Sequence, residues 1–214
     1  MNLHYETYPG DLSEFDPATT PVIILPALFG STTNWRGFAK KLAQSFPVVV
    51  LDQRNHGRSP HADTHSYQDM ADDLLAFLDH HDLTQIHLCG HSMGGKVAML
   101  FAHKYPERLK KLAVLDIAPV VYSHSHANFV RAMLEIDLAE LKSRSDADRQ
   151  LSAVISDTAT RLFLLQSLVG SPGEYEWRLN LSVLLEYMPQ IVGFPESALD
   201  GSCLLYTSDA ADED

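Results

Sequence analysis

A serine flanked by glycines near the middle of the sequence has the spacing of a catalytic nucleophile. Residues 90–94 read Gly-His-Ser-Met-Gly, the pattern in which a strained turn between a strand and a helix presents a serine hydroxyl. Small residues on both sides leave room for such a turn. The pattern therefore predicts that Ser92 attacks a carbonyl carbon and forms an acyl-enzyme, whereas the alternative interpretation is an ordinary tight strand-helix turn.

A serine nucleophile also needs hydrogen-bond donors that face the charge developing on the carbonyl oxygen. The backbone N–H of Met93, at the start of the helix predicted after Ser92, is expected to be one donor. The loop after the first apolar strand, residues 26–30 (Pro-Ala-Leu-Phe-Gly), is expected to supply the second through the N–H of Leu28. Phe29, in the same loop, is predicted to contact the substrate.

The elements around these residues alternate between short β-branched runs and segments of helical period, which is typical of a parallel sheet flanked by helices. The predicted strands are residues 22–25, 47–51, 86–89 and 112–115. Asn34 is the expected N-cap of the helix after the first strand. From residue 123 to about 188 the strand signal disappears and helical patterns remain. The predicted fold is therefore α/β, a mostly parallel doubly wound sheet with a helical cap insertion.

The domain boundaries follow from the same pattern. We expect residues 1–122 to form the N-terminal part of the core, residues 123–190 to form the helical cap, and residues 191–202 to return toward the core. Residues 203–214 resemble the translation of a sequencing adapter and are expected not to be native. On that expectation the native chain is interrupted near Ser202, and the last strands of the sheet are missing.

Four segments together carry a family resemblance. They are residues 52–59 (Asp-Gln-Arg-Asn-His-Gly-Arg-Ser), 90–96 (Gly-His-Ser-Met-Gly-Gly-Lys), 115–120 (Leu-Asp-Ile-Ala-Pro-Val) and 176–181 (Glu-Trp-Arg-Leu-Asn-Leu). The chain resembles the YbfF-type esterases of the α/β-hydrolase superfamily from about residue 22 to residue 193. The resemblance implies hydrolysis of small carboxylic esters or thioesters, without a metal or an organic cofactor, by a Ser-Asp-His triad under a helical cap.

The resemblance places the triad acid on Asp116. A carboxylate at the carboxyl end of the strand next to the nucleophile can face Ser92 across the crevice, although a turn or helix-capping aspartate is the alternative interpretation. The chain departs from the family in having Pro26 and Ala27 where the oxyanion loop usually begins His-Gly. The family's catalytic histidine lies near its C-terminus, beyond the point where this sequence becomes adapter-like. We therefore expect the 214-residue chain itself to be inactive, since loss of a triad member removes about 10⁶ in turnover.

The eleven histidines offer no obvious replacement for that base. His56 is expected to fix its own turn by hydrogen bonding, and His91 is expected to point away from the hydroxyl of Ser92. His124 and His126 are expected on a polar loop from which reaching Ser92 needs a rearrangement. The remaining seven are interpreted as surface or strand residues, namely His4, His61, His65, His80, His81, His87 and His103.

Composition narrows the possible partners. The formal net charge of −12, with 16 scattered basic residues, argues against nucleic acid and anionic membrane surfaces. No unbroken apolar run reaches the roughly 18 residues of a membrane span, and the N-terminus lacks the features of a signal peptide. The two cysteines, Cys89 and Cys203, are too few for a disulfide framework or a zinc site. These features predict a cytoplasmic protein that acts on a small-molecule ester or thioester, with its oligomeric state open.

Other functions stay open at this point. Asp52 at the end of a strand could suggest a nucleotide ribose, but no Gly-x-Gly-x-x-Gly motif precedes it. An acyl-CoA thioesterase or an acyltransferase could use the same serine. A non-catalytic binding protein of the same fold is the alternative from a different class.

Overall fold

The structure, a computed structural model, describes residues 1–16, 18–123 and 125–194. The expectations for residues 195–202 and for the adapter-like residues 203–214 lie outside the described residues. The same is true of His124. Within the described ranges no helix combines the length and the hydropathy needed to cross a bilayer.

A twisted sheet of five strands organises the described part of the chain, in the order β1-β3-β2-β4-β5. The strands are β1 (Tyr5–Tyr8), β2 (Val22–Leu25), β3 (Val48–Leu51), β4 (Ile86–His91) and β5 (Leu109–Leu115). Strands β2 to β5 run parallel, and only β1 is antiparallel to its neighbour. Every residue of β2 and β3 is buried, as expected for parallel strands covered by helices on both faces. The predicted mostly parallel α/β fold is confirmed.

Strand β1 is an element that the sequence pattern did not predict. Its four residues, Tyr5–Tyr8, are all half-buried, and they pair with β3 at the edge of the sheet. Their mixture of tyrosine, glutamate and threonine gives no apolar run and no clean alternation of polar and apolar residues. The strand therefore depends on pairing with β3 rather than on its own pattern.

The helices pack on both faces of the sheet and continue above it. They are α1 (Thr32–Leu42), α2 (Tyr67–His80), α3 (Met93–Lys104), α4 (Ala127–Leu134), α5 (Arg144–Leu151), α6 (Thr158–Leu165) and α7 (Leu181–Val192). The prediction that Asn34 is the N-cap of α1 was wrong. Ser31 is the N-cap, and Asn34 lies three residues later, where its Oδ1 accepts the N–H of Ser31 at 2.8 Å. Asn34 therefore belongs to the same cap but occupies the reciprocal position.

Helices α4 to α7 follow β5 in the region where the sequence predicts a cap. The expectation that this region has no strands was wrong, because a short hairpin joins β6 (Leu168–Val169) to β7 (Glu176–Trp177). Two-residue strands are too short to show a period in the sequence. Apolar residues of the cap helices and of the sheet share one continuous core cluster. The boundaries at residues 122 and 190 stay predictions.

Candidate active site

Ser92 occupies the turn that the sequence predicts, between the end of β4 at His91 and the start of α3 at Met93. Its backbone has φ 49° and ψ −117°, a strained conformation for a residue with a side chain. The N–H of Ser92 donates to the carbonyl of Leu115 at 3.0 Å, and its own carbonyl accepts the N–H of Gly95 at 2.8 Å. The strained turn is thus held by hydrogen bonds on both sides.

Glycine is required beside this turn because the backbones pack so closely. A Cβ on Gly94 would overlap the carbonyl groups of Leu25 and Pro26, and a Cβ on Gly90 would overlap the carbonyl of Gly94. Close approach of this kind brings the loop after β2 against the first turn of α3. The spacing of glycines in the motif therefore positions two segments that are distant in sequence.

Strained residues mark the same edge of the sheet at every parallel strand. Phe29 follows β2, Asn55 follows β3, Ser92 follows β4 and Asp116 follows β5, and all four have a positive φ. The described residues contain only one other non-glycine residue with positive φ, Asp82. Backbone strain collects at functional sites, and the carboxyl ends of parallel strands are where α/β sheets bind ligands.

Both predicted oxyanion residues share a cavity with Ser92. The cavity has a volume of about 60 Å³. Its wall consists of Leu28, Tyr67, Ser92, Met93, Lys96, Ile117, Tyr122, His126, Ile191 and Val192. Met93 is the first residue of α3, where N–H groups lack acceptors within the helix. The side-chain amide of Gln53 donates to the carbonyl of Pro26 at 2.8 Å and so fixes the loop that carries Leu28.

Phe29 is not among the described residues that form the wall of this cavity. The ring is buried and makes an edge contact with His126, with 6.2 Å between the ring centroids. His126 itself lines the cavity. A contact between Phe29 and a substrate stays a prediction.

Asp116 follows β5 directly, one residue after the carbonyl that binds the N–H of Ser92. Its side chain is 89% exposed, and one carboxylate oxygen lies 3.7 Å from Nε2 of His91. The His91 ring also makes an edge contact with Trp35. The structure thus brings Asp116 to the correct end of the sheet, while its role as triad acid stays a prediction.

The histidines differ in part from the sequence-based expectations. His56 behaves as expected, because its Nδ1 lies 3.0 Å from the carbonyl of Arg54 in its own turn. His65 was wrongly interpreted as a surface or strand residue, since its side chain is fully buried below the loop after β3. His126 was expected on a polar loop from which reaching Ser92 needs a rearrangement, and the structure places it in the wall of the same cavity as Ser92. The sequence signal for His126 was only its position shortly after Asp116.

Lys96 is a site residue that the sequence pattern did not single out. Its side chain is 1% exposed, and Nζ donates to the carbonyls of Val120 (3.0 Å), Val192 (3.0 Å) and Gly193 (2.6 Å). Nζ also lies 4.8 Å from the centre of the Tyr122 ring. Burial lowers the pKa of Lys96 to about 8, and the three carbonyls favour its charged form.

Asp52 has a structural environment. Its carboxylate accepts the N–H of Thr32 at 2.6 Å and the N–H of Arg58 at 2.9 Å, and burial raises its pKa. These bonds join the start of α1 to the turn after β3. Cys89 is also buried, and burial raises the pKa of its thiol to about 11. The described residues contain no cluster of three or more His, Cys, Asp or Glu side chains suited to a metal ion.

Comparisons with known proteins identify the fold to which this chain is similar. Residues 20–178 match the family model described as alpha/beta hydrolase fold. The sn-1-specific diacylglycerol lipase ABHD11 of Mus musculus is 40% identical over 205 residues, covering 92% of this chain and 65% of the lipase. Esterase YbfF of Escherichia coli K12 is 33% identical over 176 residues, covering 82% of this chain and 68% of the esterase. The solved structure of a marine microorganism esterase matches with a TM-score of 0.83 and 38% identity, over 90% of this chain and 74% of that one.

Proposed function

This chain belongs to the α/β-hydrolase family, and we propose that within it the chain is a serine hydrolase that cleaves small carboxylic esters. The resemblance to YbfF-type esterases predicted from the motifs is confirmed by the match to the E. coli esterase. The observation that carries the proposal is the strained Ser92 in one cavity with Leu28 and Met93. The activity is a proposal, since the chain spans 65% of the length of the mouse relative.

The proposed reaction proceeds through an acyl-enzyme. Oγ of Ser92 attacks the ester carbonyl carbon while a general base takes its proton, and the N–H groups of Leu28 and Met93 stabilise the oxyanion. The C–O bond to the alcohol then breaks, and the alcohol leaves with the proton. Water attacks the acyl-enzyme in the second half-reaction, which releases the carboxylic acid and restores the serine. Asp116 is proposed to orient the histidine base, which the family resemblance places C-terminal to the described residues.

The kind of acyl group follows from the cavity wall. Apolar side chains dominate this wall, including Leu28, Ile117 and Ile191. An apolar wall favours the hydrocarbon part of an acyl group. Together with the resemblance to esterases that act on small esters, this wall makes small carboxylic esters the proposed substrates.

A panel of p-nitrophenyl esters and acyl-CoA thioesters of increasing chain length tests the proposal, assayed on a longer protein that includes the C-terminal histidine base implied by the family resemblance. We expect short esters to be the better substrates, and we expect Ser92→Ala to abolish turnover. Faster turnover of thioesters would favour the thioesterase alternative, whereas binding of esters without turnover would favour a non-catalytic protein.

A fluorophosphonate probe tests the nucleophile directly. The probe should label the wild-type chain at Ser92 and should leave Ser92→Ala unlabelled. The expectation that the 214-residue chain is itself inactive is tested by the rate of this labelling. Labelling as fast as that of the E. coli esterase would contradict that expectation.

A further inference from the structure

A line of polar contacts connects the cap to the first residue of α3. The side-chain amide of Asn180, at the N-terminus of α7, donates to Oδ1 of Asn55 at 3.1 Å. Nδ2 of Asn55 lies 3.3 Å from Nδ1 of His65. Nε2 of His65 lies 3.4 Å from the sulfur of Met93. Asn180, Asn55 and His65 thus connect the cap to Met93, whose N–H is the proposed oxyanion donor.

The direction of each hydrogen bond in this line is fixed by chemistry. The N–H of Ala62 donates to Oδ1 of Asn55 at 2.8 Å, so the other end of the Asn55 amide must be its NH₂ donor. That NH₂ group faces Nδ1 of His65, which must therefore be the acceptor. Burial lowers the pKa of His65 to about 2, so the ring is neutral and carries its proton on Nε2. The Nε2–H group points at the sulfur of Met93, a weak acceptor.

The line is buried along most of its length. Asn55 and His65 are fully buried and Met93 is 2% exposed, so water does not compete for these bonds. Asn55 is also held by its backbone, because its carbonyl accepts the N–H of Asn180 at 3.1 Å. A shift of the N-terminus of α7 would therefore move Asn55, and through it the imidazole that contacts Met93.

We propose that Asn55 and His65 are positioning residues that couple the docking of the cap at Asn180 to the orientation of Met93. Met93 is the residue that the proposed function assigns to the oxyanion hole, and the catalytic consequence rests on that assignment. Substrate release or entry that displaces the N-terminus of α7 would then change the oxyanion hole as well as the opening of the cavity.

The tautomer of His65 is the first test, and it uses the unmodified 214-residue chain. Two-bond ¹H–¹⁵N NMR spectra distinguish an imidazole with its proton on Nε2 from one with its proton on Nδ1. We expect His65 to give the Nε2–H pattern over the neutral pH range. A proton on Nδ1, or a mixture of both tautomers, would overturn the proposal.

The second test measures the coupling itself. In Asn180→Ala we expect the amide and ε-methyl resonances of Met93 to shift, and in the matched control Asn128→Ala, an exposed cap asparagine on α4, we expect them to stay in place. In a His65→Leu background the response of Met93 to Asn180→Ala should disappear. An unmoved Met93, or a response that persists without His65, contradicts the coupling. If His65→Leu does not fold, the tautomer and the single variant still decide the question.

Turnover provides the third readout and separates this proposal from the proposed function. In a longer protein that includes the C-terminal histidine base implied by the family resemblance, Asn180→Ala should lower kcat more than it changes KM. The loss in kcat should be smaller than the about 10²-fold that the loss of one oxyanion donor costs. A response of Met93 without ester turnover by that longer protein would leave the coupling standing and remove the esterase function. Ester turnover by that protein with an unresponsive Met93 would do the reverse.

Discussion

Gly94 is the residue at which the nucleophile turn and the oxyanion loop come closest. A Cβ at this position would overlap the carbonyl oxygens of Leu25 and Pro26, which are backbone atoms in a buried strand and its loop. Gly94→Ala must therefore push the loop that carries Leu28 away from Ser92. We predict a lower midpoint of thermal unfolding and slower fluorophosphonate labelling of Ser92.

Gly37 provides a matched control for that substitution. It lies inside α1, and a Cβ added there would meet no atom within 4 Å apart from its chain neighbours and the backbone of its own helix. Gly37→Ala therefore removes a glycine from the interior of a helix without a clash. Gly37→Ala should raise stability by about 0.5–1 kcal/mol. If calorimetry showed the two variants to be equally stable, the close approach at Gly94 would be wrong.

Lys96 connects three elements at the scale of helices and loops. It lies one turn after the nucleophile on α3, and its ammonium group binds Val120 in the segment after β5 and both Val192 and Gly193 at the end of α7. Carbonyl groups at a helix C-terminus favour a positive charge. Lys96 thus links the C-terminal end of α7 to the helix that begins at the nucleophile.

The lowered pKa of Lys96 predicts how its contribution to the free energy of unfolding depends on pH. Between about pH 8 and pH 10.5 the unfolded chain keeps a proton on this lysine that the folded chain releases. Stability rises with pH wherever the unfolded state binds more protons, so the contribution of Lys96 to the free energy of unfolding should increase across this range. Urea denaturation of the wild-type chain and of Lys96→Met at pH 7.5 and pH 9.5 measures it.

The informative quantity is the difference in the free energy of unfolding between the wild-type chain and Lys96→Met, because the contributions of the other titrating groups cancel in this difference. The wild-type chain should gain stability relative to Lys96→Met as the pH rises. A difference that shrinks with pH would mean that the folded state holds the proton more tightly than the unfolded chain does. Such a result would show that the three carbonyl groups outweigh the burial of the ammonium group.

The elements that the sequence predicts are those with a local pattern. The turn at Ser92 needs only glycines at fixed spacing between an apolar run and a helical period, and the structure places it there. Strand β1 and the hairpin between Leu168 and Trp177 depend instead on pairing with a partner strand. The predicted N-cap of α1, Asn34, lies three residues after the observed one, Ser31, because serine and asparagine cap helices about equally well.

The site residues that the sequence did not predict share a different property. His65, Lys96 and Asn180 act through partners that are far away in the chain, such as Met93 for His65 and Val192 for Lys96. Nothing in the neighbourhood of a buried histidine or lysine distinguishes it from a surface one. These contacts depend on the fold, which brings together partners that are far apart in the chain.

At the scale of the whole molecule, one continuous apolar core joins the sheet to the cap, and two imidazoles are buried beside it. Burial lowers the pKa of His56 to about 4 and that of His65 to about 2, from an ordinary value of 6.5. The two rings lie 5.2 Å apart, and the nearby Arg54 further disfavours a charge on His65. The folded chain therefore keeps both rings neutral at a pH where an unfolded chain would protonate them.

The protein should accordingly lose stability in mild acid. Below about pH 6.5 and down to about pH 4 the unfolded state binds up to two protons more than the folded state, which lowers the free energy of unfolding by up to about 2.7 kcal/mol per pH unit. The raised pKa of Asp52 works in the opposite direction and makes this slope shallower. Urea denaturation at pH 7, 6 and 5 measures how the free energy of unfolding changes with pH. His65→Leu should lose part of this slope. His80→Gln, at an exposed site, is the control that should keep it. A slope that His65→Leu leaves unchanged would mean that the His65 ring is not held neutral in the folded protein. Nδ1 of a charged ring carries a proton, so the proposed bond from the NH₂ group of Asn55 would lose its acceptor.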